Sequence, residues 1–275
     1  MQCKLSRTTV HYEIFGEGRP ALMLHGMPMD YTQMVREMEP YFSCRDGWKR
    51  IYLDMPGHGQ SPSADWITSM DDVLRVVEEF LDQIVPGQRF VVAGTSYGGY
   101  IGRGLVHDRA AYMDGLLLNV PAISPDKEKL TLPPRTILVR DEVVLEDAKS
   151  SGVNWFEEGA VVQNRANLEY AKALNKAVAD YSFLEKLRKR GFSFDVDKLP
   201  EPFLAPTLIV TGRQDHWVGY RDAWNIIENF PRATFAVLDR AGHLVLGEQP
   251  EICSSLIREW LDRVEEWEAR PSETS

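Results

Sequence analysis

The chain alternates between short apolar runs and longer stretches in which apolar residues return every three or four positions. The runs are ALMLHG (21–26), RIYLDMPG (50–57), RFVVAG (89–94), GLLLNVPA (115–122), TLIVTGRQD (207–215) and TFAVLDRAGH (234–243). Each is apolar over a strand's length, which predicts strands buried on both faces. TTVHYEIFG (8–16) alternates instead and predicts an antiparallel edge strand near the start. SMDDVLRVVEEFLDQIV (69–85) sets Val73, Val76, Val77, Phe80, Leu81 and Ile84 on one stripe, as a helix with one buried face does. Asp71 and Asp72 near its start suit the positive end of the helix dipole. PEICSSLIREWLDRVEEW (250–267) predicts a second amphipathic helix, opened by proline. Strands alternating with helices predict a mostly parallel sheet covered on both faces. The closing ARPSETS is polar and predicts a frayed end.

The rhythm breaks between Pro121 and Pro206. The segment from Asp141 to Gly191 reads as helical with no strand, and prolines fence it: Pro121, Pro125, Pro133 and Pro134 before, Pro200, Pro202 and Pro206 after. A helical insertion between two core strands is expected, with a core of 1–122 and 204–275 and an inserted subdomain of 123–203. Over 126–203 there are 13 Lys or Arg against 14 Asp or Glu, so the insertion is no basic patch. KLRKR (186–190) reads as a solvated helix face.

Composition narrows the partners. The chain has 275 residues and a formal net charge of −10, which argues against a nucleic-acid backbone or an anionic membrane surface. No apolar run approaches the ~18 residues of a membrane span, and the first residues do not read as a signal peptide. Three scattered cysteines, Cys3, Cys44 and Cys253, make a poor disulfide framework and predict buried free thiols. A cytoplasmic protein acting on a small molecule is expected.

The chemistry centres on VVAGTSYGGY (91–100), where a strand runs into glycines flanking Ser96. G-x-S-x-G places a serine on a strained strand-to-helix turn that lifts its hydroxyl off the sheet. The turn crowds its flanks, hence Gly94 and Gly98; Gly99 permits close helix packing. A serine is a weak nucleophile and needs a base with an orienting acid. His243 follows the last strand, at the sheet end where Ser96 sits. Asp215 follows the strand before it, which gives the order Ser…Asp…His. Asp126 and Asp239 compete for the acid's place, one after the preceding strand and one too near His243 along the chain. His216 beside Asp215 suggests a metal pair, but no further ligands are spaced around it, so neither metal nor cofactor is expected. The backbone N–H groups of Met27 and Tyr97 can aim at one oxyanion. His25 reads as a buttress of that loop, and Asp54 and His58 of DMPGHGQS as structural. Met29, Trp155, Phe156, Trp217 and Val218 are the candidate pocket residues.

In order, HGMP, DMPGHGQS, GTSYGG, and GRQD with AGH resemble the α/β-hydrolase superfamily over roughly 5–125 and 203–268. The resemblance implies an α/β fold: an eight-stranded, mostly parallel sheet with helices on both faces and the insertion as a cap. It implies Ser96 as nucleophile, Asp215 as acid, His243 as base, and Met27 and Tyr97 as the oxyanion hole. Haloalkane dehalogenases and epoxide hydrolases of this fold carry an aspartate where this chain has Ser96, although Tyr170 and Tyr181 could mimic the epoxide-activating pair. The HGGPG-like loop of proline iminopeptidases is missing from HGMPMD. The expected activity is hydrolysis of a small, mostly apolar ester-like substrate through an acyl-enzyme. The same triad also serves carbon–carbon bond hydrolases, slow-turnover ligand-binding signalling proteins and cofactor-free perhydrolases.

Overall fold

Alternation along the strands divides the core in two. The computed structural model describes residues 1–269, so the expectation for the polar end at 270–275 lies outside the described residues. Strands β1 (Gln2–Lys4), β2 (Thr9–Phe15), β3 (Arg19–Leu24), β4 (Trp48–Leu53), β5 (Phe90–Thr95), β6 (Met113–Asn119), β7 (Thr207–Gly212) and β8 (Ala233–Leu238) form one eight-stranded sheet in the order β1-β2-β4-β3-β5-β6-β7-β8. The pairings from β4 across to β8 are parallel, and β2 is antiparallel to both β1 and β4.

The helices are α1 (Tyr31–Phe42), α2 (Met70–Ile84), α3 (Tyr97–Arg109), α4 (Glu142–Ser150), α5 (Phe156–Gly159), α6 (Arg165–Leu174), α7 (Tyr181–Arg190), α8 (Arg221–Asn225), α9 (Val245–Glu248) and α10 (Pro250–Glu268). Leu22, Leu24, Val92, Leu116 and Leu118 join one core with residues of α2, α3, α7 and α8. Their neighbours Ala21, Met23, Val91, Ala93 and Leu117 join the other, with α1, α9 and α10. Buried runs must be apolar at every position for this reason, since successive side chains serve opposite faces.

Three expectations change. β2 is not the edge strand: β1 pairs outside it, with Cys3 opposite Val10, and three residues are too few to show an alternation in sequence. β8 is apolar enough for a central strand, yet it is the far edge and all six of its residues are half-buried, because only β7 flanks it. The third is Cys44, which is exposed, while Cys3 and Cys253 are buried; all three are free.

Between β6 and β7 the chain is helical, and among the described residues of 123–203 there is no strand, only isolated bridges of Val139 with Val162 and of Ala179 with His58. This stretch packs in two ways. Residues of α4, α5 and α6, among them Val144, Leu145, Phe156, Leu168 and Leu174, form a small core closed by Leu244, the residue after His243. Phe183, Leu184 and Leu187 of α7 instead join the main core. No helix among the described residues is long and apolar enough to cross a membrane.

Candidate active site

Ser96 ends β5 and opens α3 with φ 52° and ψ −109°. The local sequence makes that conformation obligatory. A Cβ on Gly94 would lie 2.5 Å from the carbonyl oxygen of Gly98, and one on Gly98 would overlap the carbonyl of Leu24. The turn is pinned by hydrogen bonds from the Ser96 N–H to the Asn119 carbonyl (2.9 Å) and from the Ala122 N–H to the Ser96 carbonyl (3.1 Å). The other non-glycine residues with positive φ among those described are Val120 and Arg240, which follow β6 and β8. All three therefore sit beyond the carboxyl ends of strands, at the same edge of the sheet. Such backbone costs about 1–3 kcal/mol per residue and persists only where its surroundings over-determine it.

His243 lies in the loop between β8 and α9, and its Nδ1 is 2.8 Å from Asp215 Oδ2. Asp215 is 1% exposed, and its Oδ1 accepts the backbone N–H groups of Trp217 (2.9 Å) and Val218 (3.1 Å). A carboxylate accepts only, so it draws the proton of His243 to Nδ1 and leaves Nε2 with its lone pair. The competing acids lie elsewhere. Asp126 is exposed and accepts the Glu128 N–H, and exposed Asp239 accepts the Gln214 amide.

The loop after β3 runs through His25, Gly26 and Met27. His25 is fully buried: its Nδ1–H donates to the Gly26 carbonyl (2.9 Å) and its Nε2 accepts the Met55 N–H (3.0 Å). Those partners need the neutral ring, and burial lowers its pKa to about 4. His58 packs edge-on against His25 with ring centres 4.7 Å apart, and burial lowers its pKa to about 3. Asp54 is buried as well and accepts N–H groups from Tyr31 (2.8 Å) and Gln60 (2.9 Å), with His11 Nδ1 2.9 Å away. As the first residue of α3, Tyr97 has an N–H with no intrahelical acceptor.

Two cavities meet at Ser96, and both are also bordered by Met27, Trp217 and His243. One, of about 310 Å³, is walled by Tyr97, Tyr100, Ala122, Pro125 and Val218, with exposed Glu158 and Arg188 at its border. The other, of about 330 Å³, is walled by Met29, Trp155, Leu174, Ala177 and Leu244. Of the candidate pocket residues, Met29, Trp155, Trp217 and Val218 thus reach a cavity. Phe156 does not: it is fully buried in the small core of α4 to α6, because the turn that exposes Trp155 carries the next side chain inward. The Trp217 ring stands 5.1 Å from that of His243. Tyr181 borders the second cavity, whereas the Tyr170 hydroxyl is turned to Glu37 Oε1 (2.7 Å), so the two tyrosines do not form a pair over Ser96.

Two buried carboxylates were not legible as site residues. Glu248 accepts the N–H groups of Val161 (2.6 Å), Val162 (3.0 Å) and Gly242 (2.6 Å), tying the insertion to the loop of His243. Glu37 accepts from Thr95 Oγ1 (2.7 Å), Gln33 Nε2 (3.0 Å) and Tyr170. Burial raises the pKa of both. Among the described residues no group of three or more His, Cys, Asp and Glu side chains is arranged as a metal site.

A strained serine at the carboxyl edge of a doubly covered parallel sheet marks a hydrolase of the α/β class. Comparison with known proteins gives the same answer, for residues 21–255 match the model of the alpha/beta hydrolase family, and the chain belongs to that family. Its relatives include a pimeloyl-[acyl-carrier protein] methyl ester esterase of Legionella pneumophila, 23% identical over 92% of this chain and 99% of the relative. Another is a 2-hydroxy-6-oxononadienedioate/2-hydroxy-6-oxononatrienedioate hydrolase of Burkholderia vietnamiensis, 24% identical over 92% of this chain and 91% of the relative. Among solved structures, an alpha/beta superfamily hydrolase from Oenococcus oeni PSU-1 superposes with a TM-score of 0.86 at 24% identity, covering 96% of this chain and 99% of its own.

Proposed function

We propose that the protein is a cytoplasmic serine hydrolase that cleaves small, mostly apolar ester-like substrates through an acyl-enzyme. Ser96 Oγ attacks the ester carbonyl while His243 Nε2 takes its proton. The carbonyl electrons move onto oxygen, where the N–H groups of Met27 and Tyr97 receive them. Collapse of the intermediate expels the alkoxide, which leaves as the alcohol with the proton from His243. Water, deprotonated by the same nitrogen, then releases the acid and restores Ser96. Asp215 holds His243 in the required tautomer and stabilises the imidazolium at each step. Each oxyanion donor contributes roughly 3–4 kcal/mol to the barrier reduction.

The observation that carries this reading is the elbow serine sharing both cavities with a histidine whose far nitrogen is held by a buried carboxylate. The largely apolar walls suit an uncharged substrate, and two cavities of similar size suit its acyl and alcohol halves. The insertion, residues 123–203, serves as the cap, contributing Trp155, Leu174 and Ala177. Three free cysteines suit a reducing compartment. The esterase relative supports ester cleavage. The dienedioate hydrolase relative favours a second reading, carbon–carbon bond hydrolysis with the same triad.

Fluorophosphonate labelling with peptide mapping tests the first reading, alongside a panel of p-nitrophenyl esters of graded chain length and a vinylogous diketone. The adduct is expected on Ser96 alone, with turnover of esters. An adduct mapped to another serine, such as Ser61, rejects the assignment, and turnover of the diketone alone selects the second reading.

A further inference from the structure

Glu37 stands out among the buried acids because nothing in the acyl-transfer cycle calls for it. It lies on α1, is 4% exposed, and meets donors from three separate parts of the chain. Each donor is oriented from behind. Thr95 Oγ1 already accepts the Asn119 amide (3.2 Å), so its own proton is free for Glu37 Oε2. Gln33 Oε1 accepts the Gly26 N–H (2.8 Å), so its amide nitrogen is the end that faces Glu37 Oε1. Tyr170 brings its hydroxyl to the same oxygen from α6, in the insertion. Both carboxyl oxygens therefore accept, Oε1 from Gln33 and Tyr170 and Oε2 from Thr95.

Burying a carboxyl group is costly, and an apolar side chain would fill the space more cheaply. The three donors show what the carboxyl group holds together. Thr95 is the residue before Ser96, Gly26 the residue before Met27, and Tyr170 belongs to the insertion.

We propose that Glu37 is a positioning residue of the Ser96 site, a single acceptor that locks the elbow, the oxyanion loop and the seated insertion to one another. It acts on Ser96 through Thr95 and on Met27 through Gln33 and Gly26. The inference rests on the triad reading above. It assigns Glu37 one effect: its hydrogen bonds set the geometry of the Ser96 turn and of the loop that carries Met27. The other titratable groups facing Glu37 are Tyr41 on its own helix, Tyr170 on α6 and Cys253 on α10. Burial raises the pKa of each, the thiol to about 12, so all three remain neutral across an assay near neutral pH.

The test measures fluorophosphonate labelling rate, kcat and KM for the wild type, Glu37→Gln, Thr95→Val and Thr95→Ser. Glu37→Gln is expected to lower kcat about tenfold or more, with KM changed by less than about twofold, since a buried acceptor of three donors is lost. Thr95→Val should slow labelling and turnover, and Thr95→Ser should restore both rates. Should Glu37→Gln fail to fold, the threonine pair decides: Thr95→Val as active as the wild type overturns the proposal. So does a folded Glu37→Gln that loses only melting temperature and keeps its kcat. A wild type that is not labelled at Ser96 sinks the triad reading itself; a labelled wild type with variants of equal rate sinks this inference alone.

Discussion

Asp215 faces two ways at once, with one oxygen on His243 and the other on the N–H groups of Trp217 and Val218. Asp215→Asn keeps the shape and the backbone contacts. Its amide can donate to Nδ1, which moves the ring proton to Nε2 and removes the proposed base for Ser96. We expect kcat about 10⁴-fold lower, some 5.5 kcal/mol in barrier, with little change in melting temperature. Asp126→Asn, at an exposed turn, is the control that should leave kcat near wild type. Steady-state kinetics and thermal melts of both variants check the assignment. The placement of Ser96, Asp215 and His243 at one end of the sheet was legible because each follows a recognisable strand and is framed by turn residues. Glu37 was not, since its partners Thr95 and Tyr170 lie 58 and 133 positions away and no local pattern joins them. Phe156 misled for a related reason: its neighbour Trp155 reaches a cavity, and a helical turn separates adjacent side chains.

At the scale of elements, the elbow depends on how closely α3 approaches the end of β3. Gly98→Ala places a methyl group against the Leu24 carbonyl, which is backbone and cannot rotate aside. The strain is expected to cost about 3 kcal/mol, a fall in melting temperature on the order of 10 °C. Activity should fall further than stability explains, since Leu24 leads into the loop of His25 and Met27; calorimetry paired with kcat separates the two effects. Most elements were legible from periodicity, and α2 and α10 differ from their sequence patterns by a residue or so at their ends. Helix α1 drew no assignment. Its buried face mixes Met34 and Met38 with Gln33 and Glu37, and Pro40 lies inside it, so its stripe is neither cleanly apolar nor free of breakers. The polar residues that hide the helix are the ones that touch Thr95, beside Ser96, and Gly26, in the loop after β3.

For the molecule as a whole, stability should track the neutral histidines beneath the site. His25 and His58 have folded pKa values of about 4 and about 3, below the ~6.5 of an unfolded chain. Between those limits the unfolded chain binds protons that the folded chain does not. Their contribution is therefore complete above about pH 6.5 and is lost as pH falls toward the folded values. Glu37, Asp54 and Glu248, whose pKa values burial raises, work in the opposite sense. Comparing urea unfolding of the wild type with His58→Gln cancels them. The wild type's stability relative to the variant should fall by about 3 kcal/mol between about pH 7 and about pH 4. An advantage constant from about pH 7 to about pH 4 would contradict a buried neutral ring. The paired cavities carry a further consequence for the proposed acyl-enzyme. Once the first product departs, one chamber stands vacant beside a loaded one, and the next reactant enters without displacing the acyl group. The kinetics are then ping-pong. Any alcohol that fits the vacant chamber competes with water for the same intermediate, so the ratio of transfer to hydrolysis is set by the lining of that chamber rather than by the triad.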